Sequence, residues 1–312
     1  MVGTFISLSG TNWLVIWVGM EINMLSFIPI MVTASSNQEA EASIKYFISQ
    51  AWASAIFLLG SLAQITLTAP IAISSLLILF SLLIKAGIPP YHSWYPQVMR
   101  ASSWVICIIL SSWQKLTPLL ILFWAPFHNK AVVSLALVGV LVGGVGGLVQ
   151  TQLRPIIAYS SITHVRWMCI LSPISSTTST IYLAGYITLM LPVILAINSL
   201  TATKVSATSI STMSPIRIVI TFLLLVSLAG LPPTSGFTLK LIALSVLLHQ
   251  NIVIVSLLLL ISTLITLTFY LNLMFFSLLS ASKSSLSHYP TLSSLIPISL
   301  ASVWLTPLLY LS

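Results

Sequence analysis

Long apolar stretches, each followed by a few polar residues, repeat along the chain and give it the pattern of a membrane protein. About 20 apolar residues in a helix cross the hydrocarbon core of a bilayer, so each long stretch predicts one crossing. Residues 1–10 are apolar but too short to span. The first predicted span is 13–33, and a capping box at residues 36–39 opens a second helix that runs to about residue 68. The third covers 71–88 and has a broken continuation to about residue 100. The remaining predicted spans are 103–126, 131–150, 155–172, 177–198, 216–248, 251–280 and 291–311.

The composition is that of a chain dissolved in lipid. Of its 312 residues, 58% are hydrophobic and 4% are charged, whereas about a quarter of an average soluble protein is charged. We therefore predict an all-α, polytopic membrane helix bundle of about 10–11 transmembrane helices. No stretch is typical of a separate soluble domain, so residues 1–312 are expected to form a single integral membrane domain.

The net charge of +8 does not point to nucleic acid. Its 11 basic residues are scattered singly and form no basic groove interleaved with aromatic residues, so no nucleic-acid partner is expected. Cys107 and Cys169 lie inside apolar stretches, which indicates core packing rather than a disulfide or a metal site.

Two of the predicted helices are interrupted by a glycine and a pair of prolines, and a lysine lies beside each interruption. The first stretch is KAGIPPYHSW at residues 85–94, and the second is AGLPPTSG at residues 229–236, with Lys240 just beyond it. Proline removes a backbone donor and frees a carbonyl group, so we expect freed carbonyls beside Lys85. Interrupted helices at two places in one membrane chain are typical of an ion pathway.

Glu21, Lys85, Lys115 and Lys240 are the candidate ionisable residues within the membrane. One charge at the bilayer centre costs about 2.5–3.5 kcal/mol, so the four together cost on the order of 10 kcal/mol. Structural ion pairs and lysines that extend to the interface are the alternatives to a functional role. Burial favours the neutral forms of lysine and glutamate, and a nearby opposite charge favours the ionised forms. A Glu–Lys pair whose separation can change is therefore a proton switch.

Five stretches, taken in order, resemble the NADH dehydrogenase subunit 2 family and cover most of residues 13–245. Beyond about residue 250 the chain resembles that family only in hydropathy. The stretches are WVGMEINMLSFIP at 17–29, IKAGIPPYHSW at 84–94, WQKLTP at 113–118, QLRPIIAYSSITH at 152–164 and GLPPTSGFTLK at 230–240.

The resemblance implies a proton-pumping, antiporter-like subunit of mitochondrial respiratory complex I, multi-pass in the inner membrane, in the N-terminally shortened animal form. It implies that Glu21 pairs with Lys85, that Lys115 is the central lysine, and that Lys240 belongs to the second broken helix. A proton would be loaded near Lys85 and Lys115 and passed towards Lys240.

Two histidines in the matching stretches are candidate relays. His92 is either a relay or a hydrogen-bonding group at a helix end, and His164 is either a relay or a hydrogen-bonded core residue. The family usually has glycine two residues after His164, where this chain has Arg166. Because arginine keeps its charge, Arg166 needs a partner, water or an interface, and it weakens the case for a relay through His164.

The chain has no Gly-rich nucleotide fingerprint and no cysteine set for an iron–sulfur cluster, so no cofactor, metal or redox centre is expected in it. The resemblance implies an enzyme only as a complex, an H⁺-translocating NADH:ubiquinone reductase whose NADH, FMN, iron–sulfur clusters and ubiquinone belong to partner subunits. The implied partners are other membrane-arm subunits, neighbouring antiporter-like subunits among them, with lipids such as cardiolipin as further candidates.

Two other interpretations stay open. A free-standing cation/proton antiporter needs the same lysines and broken helices, but usually also acidic cation ligands at its centre, where this chain offers only Glu21. A passive scaffold has no need of Lys115 or Lys240.

Overall fold

The computed structural model describes residues 1–33, 37–66, 70–125, 127, 129–199, 215–232 and 234–281. Within these ranges the chain forms fourteen helices. In order they are α1 Val2–Ser9, α2 Trp13–Val32, α3 Asn37–Ile65, α4 Ile71–Ala86, α5 Trp94–Ala101, α6 Trp104–Ser111, α7 Trp113–Trp124, α8 Asn129–Val138, α9 Val140–Leu148, α10 Leu153–Leu171, α11 Ser176–Ser199, α12 Pro215–Ala229, α13 Ser235–His249 and α14 Val253–Ala281.

The predicted all-α membrane bundle is confirmed. Five helical segments of the described chain are long and apolar enough to cross a membrane: Trp13–Val32, Asn37–Ile65, Trp104–Trp124, Ser176–Asn198 and Val253–Leu273. Three other predicted spans, 71–100, 131–150 and 216–248, are each divided into two shorter helices. The predicted span 291–311 and Ser36 of the predicted capping box lie outside the described residues.

The chain divides into two compact units. The first is Met1–Val142 with His164–Thr180, and the second is Gly143–Thr163 with Ile181–Ser312. The prediction of a single membrane domain stays a prediction. In the first unit α3 packs against α2, α4 and α5, while α7 packs against α1, α4 and α6. In the second unit α12, α13 and α14 pack against one another.

The first broken helix ends in a glycine cap. Helix α4 stops at Ala86, and Gly87 adopts the left-handed conformation with φ 73° and ψ 37°. The Gly87 N–H donates to the Ile84 carbonyl at 3.0 Å and the Ile88 N–H donates to the Leu83 carbonyl at 2.9 Å. This pattern satisfies the last carbonyls of the helix, and the two prolines that follow cannot extend it.

The second broken helix ends in the same way. Helix α12 stops at Ala229, and Gly230 has a positive φ of 80°. The Gly230 N–H lies 3.1 Å from the Val226 and Ser227 carbonyl oxygens, and the Leu231 N–H donates to Val226 at 3.4 Å. Helix α13 then begins at Ser235. Both predicted interruptions are therefore present. Lys85 lies in the last turn of α4, and Lys240 lies on α13, the helix that follows the second interruption.

We expect Gly230→Ala to destabilise the second break. An alanine in the left-handed region costs about 1–2 kcal/mol, and its Cβ would lie 3.0 Å from Lys240 Nζ. The measurement is the temperature at which the full-length chain becomes protease-sensitive in its native membrane, with Gly10→Ala as control because Gly10 has an ordinary φ of −67°. Equal shifts for the two variants would contradict this account.

Candidate functional site

A small polar cavity lies inside the first unit, where α2, α3, α4, α5 and α7 meet. Its volume of about 20 Å³ leaves room for roughly one water molecule. Gln50 Nε2 is buried and makes no hydrogen bond to a described residue, so it is a donor available to such a water. The polar side chains that line the cavity are Asn23, Tyr46, Gln50, Lys85, Gln114, Lys115 and Thr117.

Lys85 is the first of the predicted residues at this cavity. It is 8% exposed and lies one residue before the end of α4. The expectation that freed carbonyls would serve Lys85 is wrong for Ile84 and Leu83, because loop N–H groups take both and Trp94 Nε1 also donates to Ile84 at 3.1 Å. The Lys85 side chain instead lines the cavity.

Lys115 lies in the first turn of α7 and is 3% exposed. Its ammonium nitrogen lies 4.2 Å from the centroid of the Tyr95 ring, a cation–π contact. Lys85 and Lys115 therefore both border a cavity that has room for roughly one water molecule.

Three polar residues that sequence reasoning missed hold this cavity together. Gln114 Oε1 accepts hydrogen bonds from Asn23 Nδ2 at 3.1 Å and from the Tyr46 hydroxyl at 3.3 Å. These bonds join α2, α3 and α7 around the cavity. Asn23 and Gln114 are polar residues inside apolar stretches beside Glu21 and Lys115, which is a signal that could have found them; Tyr46 has no such signal.

Glu21 lies on α2, close to this cavity but not among the residues that line it. Its carboxylate interacts electrostatically with Lys85 and with Tyr46. Its Oε1 is buried and makes no hydrogen bond to a described residue. Glu21 and Lys85 form no direct ion pair, and the ion pair found in the described chain is Glu41–Lys45 at 2.6 Å on the surface of α3. The implied pairing of Glu21 with Lys85 stays a prediction.

Lys240 lies in the second unit, on α13, and is 8% exposed. Its ammonium group donates a hydrogen bond of 2.5 Å to the carbonyl of Ala229, the last residue of α12. A cation is stabilised at a helix C-terminus, because the unpaired carbonyls there carry partial negative charge. Lys240, rather than Lys85, is therefore the lysine that takes a carbonyl freed by a helix break.

The two candidate relays have different surroundings. His92 Nδ1 lies 3.2 Å from the Pro90 carbonyl oxygen, which fits a hydrogen-bonding role at the helix end. His164 is buried in the middle of α10. Whether either histidine passes protons stays a prediction.

Arg166 is fully buried on α10, one turn before Cys169. Its three guanidinium nitrogens make no hydrogen bond to a described residue. It interacts electrostatically with Cys169 and His92, and Cys169 in turn interacts with Lys115. Both cysteines are buried free thiols, as predicted. Within the described residues no His, Cys, Asp and Glu side chains cluster as a metal site requires.

Comparison of the sequence with known proteins identifies relatives over most of its length. Residues 10–266 match the family model described as NADH:quinone oxidoreductase/Mrp antiporter, TM. The chain is 40% identical to NADH-ubiquinone oxidoreductase chain 2 of Lumbricus terrestris, over 89% of this chain and 84% of the relative. It is 36% identical to the protein of that name from Mammuthus primigenius, over 99% of this chain and 95% of the relative.

Solved structures share the fold. A chain of respiratory complex I from Thermus thermophilus with bound aureothin superposes with a TM-score of 0.77 at 22% identity, over 96% of this chain and 73% of that chain. A chain of the archaeal membrane-bound sulfane sulfur reductase gives a TM-score of 0.83 at 18% identity, over 99% of this chain and 72% of that chain. At these identities the likeness concerns the fold alone.

We expect Arg166→Met to stabilise the protein by about 1–4 kcal/mol, because a buried charge without hydrogen-bond partners is replaced by an apolar side chain of similar length. The measurement is thermal unfolding of the full-length chain in its native membrane. Arg166→Lys is the control: it keeps the buried positive charge, so the stabilisation expected of the methionine variant should not occur. A Met variant that is less stable than the wild type would show that the guanidinium is paired.

Proposed function

The chain belongs to the NADH-ubiquinone oxidoreductase chain 2 family, and we propose that its buried lysines carry protons through the membrane arm of respiratory complex I. Members of this family are antiporter-like membrane subunits of the proton-pumping enzyme, so the chain is a multi-pass protein of the mitochondrial inner membrane. Its relatives are named as chain 2 of an oxidoreductase, which favours the interpretation of this chain as a subunit of a complex over that of a free-standing antiporter.

The cavity shared by Lys85 and Lys115 is the observation that carries the proposal. Both amines are buried, and amide and hydroxyl groups that can bind water line the same space. A proton can therefore pass between the two lysines through one water without entering lipid. A passive scaffold would gain nothing from this arrangement, which costs free energy at each buried amine.

Glu21 is the proposed control on loading. A negative charge on Glu21 would favour the protonated form of a nearby amine such as Lys85. A movement that separates the two groups further, or a proton that neutralises Glu21, would weaken that stabilisation and release the proton of Lys85 towards Lys115. The driving signal would come from neighbouring subunits of the membrane arm.

Lys240 is proposed to receive protons from Lys115, with His92 and His164 as candidate relays. The carbonyl of Ala229 supports this role, because it holds the ammonium group at a capped helix end. We further propose that NADH, FMN, the iron–sulfur clusters and ubiquinone are bound by partner subunits. Neighbouring antiporter-like subunits, and lipids such as cardiolipin, are the proposed contacts within the membrane.

Lys115→Met should reduce proton translocation per NADH oxidised by roughly tenfold or more, since the side chain keeps its length but cannot bind a proton. The measurement is the number of protons translocated per NADH oxidised by the assembled complex in proteoliposomes. Lys45→Met is the matched control, because Lys45 is 44% exposed and lies in a surface ion pair. Wild-type pumping by the Lys115 variant would favour the scaffold interpretation.

Glu21→Gln should slow NADH oxidation coupled to proton translocation by roughly fivefold or more, and it should leave assembly intact. A fivefold effect is at the lower end of what coupling between two sites of a protein usually produces. Only the charge is removed, so the shape of α2 is kept. Glu41→Gln removes a carboxylate that is 64% exposed and should have no effect. Equal turnover in the two assembled variants would count against a switch at Glu21.

A further inference from the structure

Tyr95 lies where the first helix break meets the cavity. It is the second residue of α5, is 1% exposed, and lines the same cavity as Lys115. Its backbone N–H donates to the carbonyl of His92 at 3.0 Å. Its ring packs edge to face with the ring of Trp94, with the centroids 5.6 Å apart and the planes at 83°. The loop that follows α4 therefore sets the position of this ring.

The end of α4 packs directly against Tyr95. A Cβ atom added to Gly87 would lie 3.2 Å from the Cβ atom of Tyr95 and 3.4 Å from its Cγ atom. Trp94 Nε1 donates to the carbonyl of Ile84 at 3.1 Å and so ties the start of α5 to the last turn of α4. The left-handed glycine and the aromatic pair thus form one packed group, and a movement at the break must move the Tyr95 ring.

The Tyr95 ring faces the ammonium group of Lys115. The Lys115 nitrogen lies 4.2 Å from the ring centroid, well inside the range of about 6 Å over which a ring attracts a cation. The attraction comes from the negative face of the ring and acts on the ammonium ion far more than on a neutral amine. In a desolvated site such a contact shifts an equilibrium towards the cation by roughly thirtyfold.

We propose that Tyr95 is a positioning residue for Lys115, whose ring holds the ammonium group at the cavity and favours proton binding there. The tyrosine itself neither gives nor takes a proton. The first helix break, formed by α4 and α5, thereby acts on a lysine that belongs to α7. This inference rests on the proposed function and adds to it a route by which the broken helix controls proton binding at Lys115.

The first test compares Tyr95→Met with Tyr95→Phe in the assembled complex, by counting protons translocated per NADH oxidised. Methionine fills irregular space well but has no ring, so translocation should fall by roughly tenfold because Lys115 binds its proton less often. Phenylalanine keeps the ring face and should restore most of the activity. Translocation like that of the wild type in the methionine variant, or equal losses in both variants, would overturn the proposal.

Phe57→Met is the matched control for loss of a buried ring. Phe57 is fully buried in the first unit, packs against Trp13 at a centroid distance of 5.9 Å, and does not line the cavity. Its substitution removes an aromatic ring without touching a lysine, so the assembled variant should pump normally. A loss as large as that of Tyr95→Met would mean that ring packing alone explains the effect, and would overturn the proposal.

A second measurement does not depend on pumping. The temperature at which the full-length chain becomes protease-sensitive in its native membrane is compared for Tyr95→Met, Lys115→Met and the double variant. If the ring acts on the ammonium group, Tyr95→Met should lower this temperature less when residue 115 is already methionine. The same lowering in both backgrounds would overturn the proposal.

The outcome for Lys115→Met distinguishes this inference from the proposed function. If Lys115→Met loses translocation and Tyr95→Met does not, the lysine path stands and the role of Tyr95 fails. If neither variant loses translocation, both fail.

Discussion

An ammonium group inside a membrane must be given polar surroundings by the protein itself, and this requirement organises the described part of the chain. Breaking a helix is one way to meet it, because each helix end exposes carbonyl groups that are otherwise used inside the helix. The left-handed glycines Gly87 and Gly230 end two helices beside buried lysines. At the second interruption the carbonyl of Ala229 stabilises the Lys240 ammonium group. At the first, the carbonyls of Leu83 and Ile84 accept from other donors and Lys85 lines the cavity.

The three buried lysines meet the requirement in three different ways. Lys240 is held by a backbone carbonyl at 2.5 Å, Lys115 lies 4.2 Å from the centre of an aromatic ring, and Lys85 lines the polar cavity. The carbonyl of Ala229, at the end of a helix, stabilises the Lys240 ammonium group. Lys85 and Lys115 border one space with room for roughly one water molecule, which supports the proposed loading at these two lysines.

The features that were predicted correctly from the sequence are those that depend only on residues close together in the chain. A glycine followed by two prolines stops a helix in any surroundings, and an ionisable residue inside an apolar stretch is visible in the sequence alone. The cavity could not be predicted, because Asn23, Tyr46 and Gln114 come together only when α2, α3 and α7 pack. The carbonyls expected to be free beside Lys85 could not be checked from the sequence for the same reason, since Trp94 Nε1 on the next helix donates to the carbonyl of Ile84.

Magnitudes decide how Glu21 can act on Lys85. At an effective dielectric constant of about 20, moving two unit charges from about 6 to about 8 Å apart changes their interaction by about 0.7 kcal/mol, or roughly a threefold change in an equilibrium. Neutralising one charge at about 6 Å removes about 2.8 kcal/mol, or roughly a hundredfold. A proton delivered to Glu21 is therefore a far stronger switch than a small movement.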